Sequence, residues 1–174
     1  MLLTAASAVV ACQSGGSSPE PASTAALPSA APTPTPQPTR GKDAILAIYR
    51  ELYRVGPQAE RALAEQRRAI LEPVVTQPLL DTMLKGIEAL RARGRVTYGY
   101  PILHTFDVQI RGTSAVLHDC QDGSKGGQAD YRTGKHLTHG MPGTHMIAAF
   151  AKEADGGWRV AKVDQLDTPC SPDT

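Results

Sequence analysis

LLDTMLKGIEAL-RARG-RVTYGYPILHTFDVQI, residues 79–110, contains the change of period that decides the fold. Leu79, Leu80, Met83, Leu84, Ile87 and Leu90 recur at helical spacing, in a run opened by Pro78 and closed at Gly94. Beyond Gly94 the apolar period falls to two. His104, Phe106, Val108 and Ile110 alternate with Thr105, Asp107 and Gln109, the pattern of a half-buried strand.

Working outward on the N-terminal side, order begins near Lys42. Ile45, Ile48, Tyr49, Leu52 and Tyr53 fall on one face of an amphipathic helix. Gly56-Pro57 is expected to stop it, and a charge-rich helix is expected over Gln58 to Leu71. On the other side, Arg111-Gly112 makes a turn into a strand over Ala115 to Cys120, and Gln128 to Tyr131 reads as a short strand. His145 to Lys152 and Trp158 to Leu166 form a closing hairpin around Asp155-Gly156-Gly157. Helices first and an antiparallel meander afterwards is the α+β pattern.

The chain has 174 residues, 41% hydrophobic and 20% charged, with a formal net charge of +1. That balance argues neither for a nucleic-acid surface nor for electrostatic capture of anionic lipid, both of which need concentrated basic charge. The short runs Arg67-Arg68 and Arg91 to Arg95 read as solvated faces. The apolar residues are unevenly spread. Leu2 to Ala11 is too brief to cross a bilayer, which takes about 20 residues, and fits the hydrophobic part of a signal peptide.

That run ends Val9-Val10-Ala11-Cys12, a pattern that resembles the lipobox of bacterial lipoproteins. The resemblance implies cleavage before Cys12, a diacylglyceryl thioether on its sulfur, and an extracytoplasmic, membrane-anchored protein. Two or more acyl chains give stable anchoring where one does not. No Lys or Arg precedes Cys12, so the true start is expected upstream. The alternatives are a plain secretory signal, giving a secreted protein, and a cytoplasmic chain with an accidental apolar start. The expected division is a signal over residues 1–11, a lipidated cysteine and tether over 12–41, a domain over 42–170 and a tail over 171–174. The tether is Ser, Pro, Ala, Thr and Gly with Leu27 its only large aliphatic, so it has too little apolar surface to fold. At about 3.1 Å per residue, roughly 28 such residues reach ~90 Å.

Cys120 and Cys170 remain for the domain. In an oxidising compartment the expectation is a structural disulfide; the alternatives are two inert thiols or a redox pair, for which the CxxC spacing is missing. His136, His139 and His145 invite a metal reading, but they sit in a Gly- and Pro-punctuated stretch with no cysteine or acid at ligand spacing. No metal and no cofactor are expected.

Taken in order, several segments resemble a family. They are the aromatic first helix (Tyr49, Tyr53), the leucine-rich helix ending at Gly94, Gly99-Tyr100-Pro101 and Asp119-Cys120-Gln121-Asp122. Thr133-Gly134, Gly157-Trp158-Arg159-Val160 and the final Cys170 follow. This series is similar to the small secreted or lipoprotein domains of actinobacteria with a cone-shaped fold like nuclear transport factor 2 (NTF2-like, cystatin-like). The resemblance spans about Asp43 to Cys170. It implies N-terminal helices packed on a curved antiparallel sheet with a pocket between them. It implies little about activity, because that fold serves isomerases, dehydratases, cyclases and non-catalytic modules alike.

Titratable residues of the types used in proton transfer are His104, His118, Asp119, Tyr49, Tyr53, Tyr131 and Asp164. His118 and Asp119 point to opposite faces of a strand, so only one can face the cone interior. No residue is assigned as catalytic. Tyr49, Tyr53, His104 and Asp119 are the candidates for ligand contact. Three readings stay open: a non-catalytic module binding an envelope protein, a binder of a small apolar ligand, and an acid–base enzyme of the isomerase or dehydratase type. A buried polar dyad would favour the enzyme, and a large apolar cavity without one the ligand binder.

Overall fold

The computed structural model describes residues 38–171. Cys12 and the Pro-rich segment through Gln37 lie outside the described residues. Three helices come first: α1 (Pro38–Arg61), α2 (Ala64–Leu71) and α3 (Leu79–Ala92). Six strands follow: β1 (Arg95–Tyr98), β2 (Thr105–Arg111), β3 (Ser114–Gln121), β4 (Gly127–Asp130), β5 (Thr144–Lys152) and β6 (Trp158–Gln165).

Helix α1 begins at Pro38, ahead of Lys42, since proline suits the first turn of a helix, where its missing N–H is not needed. It also passes through Pro57 instead of stopping at Gly56. Proline removes one intrahelical hydrogen bond, but Val55 and Ala59 are both buried and hold the helix to the core across that gap. Arg61 then donates to the Pro57 carbonyl at 2.9 Å. The expected second helix therefore loses Gln58–Arg61 to α1 and starts at Ala64.

Strands β2, β3, β5 and β6 form one antiparallel sheet in that order, and β1 pairs with β4 in a separate two-stranded sheet. The simple meander expected from the sequence is thus interrupted. After β3 the chain leaves to place β4 against β1, then returns so that β5 pairs with β3. The core forms where the helices meet the inner sheet face: Ile45, Tyr49, Leu52, Val55 and Ala59 of α1 with Leu71, Leu80, Ile87, Val108, Leu117, Ala148, Phe150 and Val160. Three helices on a curved antiparallel sheet make an α+β cone.

Two details depart from the sequence reading of β2. His104 lies just ahead of the strand rather than in it. A bulge between Thr105 and Asp107 shifts the alternation, so Phe106 faces outward and is 57% exposed, while Val108 stays buried. One extra residue reverses side-chain parity, and a run of alternating letters does not reveal it.

Candidate functional site

Helix α1 presents Tyr49 and Tyr53 one turn apart, and both rings turn toward the sheet. Their centroids are 5.2 Å apart, edge to face. The twofold period of β3 puts Ala115, Leu117, Asp119 and Gln121 on the inner face. Asp119 and Gln121 therefore come down over the two tyrosines.

Four side chains close into one polar cluster. The Tyr49 hydroxyl donates to Asp119 Oδ2 at 3.2 Å and lies 3.3 Å from the Tyr53 hydroxyl. The Gln121 amide donates to the Tyr49 oxygen at 2.9 Å and also to the Tyr53 oxygen. Asp119 and Tyr49 are fully buried, and among the described residues Asp119 Oδ1 lacks a partner at full hydrogen-bond geometry. Burial pushes the Asp119 carboxyl above the usual carboxylate range, against the weaker opposing pull of the Gln121 amide, the Tyr49 hydroxyl and the His104 backbone. Burial likewise raises both phenols above their ordinary range, with the neighbouring Asp119 adding to it.

An unpartnered carboxylate oxygen is far costlier to bury on an anion than on a neutral acid. The cluster has two proton arrangements. With Asp119 ionised, Tyr49 donates to it. With Asp119 neutral, its proton turns toward the Tyr49 oxygen and the Tyr49 proton turns toward Tyr53.

Of the candidates named from the sequence, the structure brings Tyr49, Tyr53 and Asp119 together. His104 stands beside them: its carbonyl accepts the Cys120 N–H at 3.1 Å, and its side chain is outside the hydrogen-bonded cluster. Gln121 is the member that sequence reasoning missed. Its signal was available, since it shares the strand parity of Asp119 two residues on. His118 faces the opposite side of β3, as the strand geometry requires. The three histidines grouped in the sequence separate. His136 stacks on Tyr98 at 3.6 Å and His139 Nδ1 meets the Tyr98 hydroxyl at 2.9 Å, whereas His145 joins His118 on the outer sheet face.

A cavity of about 330 Å³ opens beside the cluster, walled by Leu52, Tyr53, Leu79, Met83, Pro101 and Val163. Tyr53 is the member of the cluster that lines it. The wall is fixed by Glu60, which accepts the Thr97 N–H at 2.6 Å and the Thr97 hydroxyl at 2.8 Å, pinning β1 to α1. It is also fixed by Gly99, whose φ of 67° brings it so close to the Lys125 carbonyl that any side chain there would collide. A larger hollow of about 580 Å³ lies against Trp158 and the first half of α1, and none of the four polar residues lines it.

Cys120 and Cys170 are joined by a disulfide that ties the segment after β6 to the outer face of β3. Among the described residues, no three His, Cys, Asp or Glu side chains gather as a metal cluster.

Solved structures share this architecture. The intermembrane-space region of the chloroplast protein ARC6 matches with a TM-score of 0.58 at 13% identity, over 78% of this chain and 100% of that one. A conserved protein from Planctomyces limnophilus matches at 0.50 and 13% identity, over 74% and 99%. An NTF2-like superfamily protein from Salmonella enterica serovar Typhimurium aligns at 0.49 and 11%, over 74% and 91%. No family model and no curated protein matches the sequence. The architecture so shared is an α+β cone. At such identities the likeness is one of fold.

Proposed function

We propose that this domain is a non-catalytic binding module that takes a small apolar ligand into the cavity beside Tyr53, and that a lipid on Cys12 holds it at the extracytoplasmic face of the membrane. One observation carries the ligand reading: an apolar cavity of about 330 Å³ abuts a polar cluster whose acid is sealed from it. That size is at the lower end of pockets for small molecules. A ligand there touches aliphatic walls and Tyr53, while Asp119 and Tyr49 stay beneath. General acid–base chemistry requires hydrogen-bond reach to the reacting atom, and full burial of Asp119 argues against it. The Cys120–Cys170 bond supports an oxidising location, hence export.

The buried Asp119–Tyr49 pair is the polar dyad that favours an enzyme, and it carries a second reading. The chain Asp119–Tyr49–Tyr53 is a hydrogen-bonded path from a buried acid to a residue lining the cavity. It favours proton transfer to a ligand as in an isomerase.

The test uses the fluorescent probe N-phenyl-1-naphthylamine with the full chain. A saturable rise in emission, displaced by apolar competitors and unchanged in Asp119→Asn, supports the binder. Chemical conversion of a displacing ligand that is lost in Asp119→Asn supports the enzyme instead.

A further inference from the structure

The outer face of the sheet carries a pair of histidines that neither the polar cluster nor the cavity uses. β3 and β5 are antiparallel neighbours in which His118 pairs with Ile147 and Cys120 with His145. The two histidines are thus diagonal partners on one face. Nδ1 of His118 and Nε2 of His145 share a hydrogen bond of 3.1 Å. The ring centroids are 5.4 Å apart, and both rings are half-buried.

We propose that His118 and His145 form a two-histidine site for a divalent transition metal of the zinc or copper class. Imidazole nitrogen suits these ions. A metal takes the place of the proton the two rings share, which passes to water or to the other nitrogen of His118; with metal–nitrogen bonds of about 2.0–2.1 Å, nitrogens 3.1 Å apart subtend roughly 95–100° at the metal, between a square-planar and a tetrahedral angle. The other nitrogen of His145, Nδ1, is held by the Thr168 hydroxyl at 2.8 Å. A hydrogen bond of that kind on the distal nitrogen orients a metal-binding imidazole. Thr168 is itself held in place, because two residues on Cys170 is bonded to Cys120, the neighbour of His145 in the ladder.

Among the described residues, one carboxylate outside the ion pairs of this face, that of Asp107, stands beside the pair. Asp107 pairs with His118 and shares its face, and Asp164, ion-paired with Lys162, pairs with Ile147 on the same face. The bulge that turns Phe106 outward sets its ring 5.9 Å from His118 and 5.4 Å from His145, an apolar flank. Since no third ligand of the described residues converges, water completes the coordination.

Equilibrium dialysis of the full chain against Zn(II), and separately Cu(II), tests this, with Cu(II) absorption spectra as a second readout. The expected result is one equivalent of bound metal with imidazole-type spectra. His118→Gln and His145→Gln should each weaken binding by at least about tenfold, and Thr168→Val should weaken it by about tenfold through loss of ring orientation. The double variant His136→Gln/His139→Gln should bind as the parent does. Both single histidines lie on the outer face, and thermal melts check that the variants are folded. Undiminished binding in the His118 and His145 variants, loss in the His136/His139 control, or no bound equivalent in the parent overturns the proposal.

Discussion

The Tyr49 hydroxyl meets the Asp119 carboxylate at 3.2 Å across seventy positions of sequence, inside the core. The contact joins α1, which gives the core five of its residues, to β3, a central strand of the sheet, and both groups are fully buried. Tyr49→Phe removes the donor to Asp119 Oδ2 and the acceptor for one Gln121 N–H. It should cost about 1–3 kcal/mol, the range for orphaning buried polar groups. Tyr53→Phe, at the edge of the cluster, should cost less. Urea unfolding of the two variants checks the order.

Asp119 gives a pH dependence of definite sign. Its folded pKa is raised by burial, so between its unfolded value of about 3.9 and the raised folded value the native state binds more protons than the unfolded one. Its contribution is present below the unfolded value and is lost as pH rises through the folded one. Asp119→Asn should remove this decline and gain on the parent as pH increases. Stability measured by denaturant from pH 4 to 8 decides. A variant that instead loses ground at high pH would show that the anion is the form the core needs.

The disulfide closes a loop with a sequence separation of 50. Its removal by Cys120→Ala/Cys170→Ala should lower stability by roughly 2–5 kcal/mol. Gly143 has φ 69° and packs its backbone against the Cys170 carbonyl, so the return into β5 should loosen with it. Peptide mapping without reductant, alongside thermal melts, tests both statements.

Gly56 lies on α1 at the wall of the cavity. A Cβ there meets no atom within 4 Å, yet Gly56 lines the cavity. Gly56→Leu, whose Cβ meets open space, should extend into the cavity and gain about 0.5–1 kcal/mol from the helix preference. Probe binding should fall at least about tenfold while thermal stability holds or rises, since ligand affinity and stability shift are linked.

The proposed anchor is checked by mass spectrometry of protein purified from membranes. A diacylglyceryl group on an N-terminal Cys12 is the expected result; a free N-terminus at Ala22 or beyond would mean ordinary secretion.

Much of the fold was legible because it rests on local periodicity. The α1 face from Ile45 to Leu52 and the α3 stripe from Leu79 to Leu90 are written at helical spacing, and β3 carries its inner and outer faces in plain alternation. What was not legible depends on partners distant in sequence. The continuation of α1 through Pro57 needs the core that holds Val55 and Ala59. The outward turn of Phe106 needs a bulge opposite β3. The pairing of β4 with β1 is a choice among strand edges that propensity does not make. In the site, Tyr49, Tyr53 and Asp119 could be named from their types and positions and strand parity with Asp119 pointed to Gln121, but only the register of β3 over α1 brings the four together and leaves His104 aside.

Gln121 and Thr144 face each other on the last rung of the β3–β5 ladder. The chain therefore departs from the sheet and rejoins it at one address, and between the two points residues 122–143 carry β4, which pairs with β1, and an exposed turn at 132–135. Lengthening that turn costs little, about 0.6 kcal/mol per doubling, and cannot slip the register on either side of it. This is where a descendant of the sequence has most freedom to diversify, and where a designer would graft a foreign epitope. The nearby Gly99–Lys125 contact sets the condition that any replacement must still leave room for the backbone of β1 to pass.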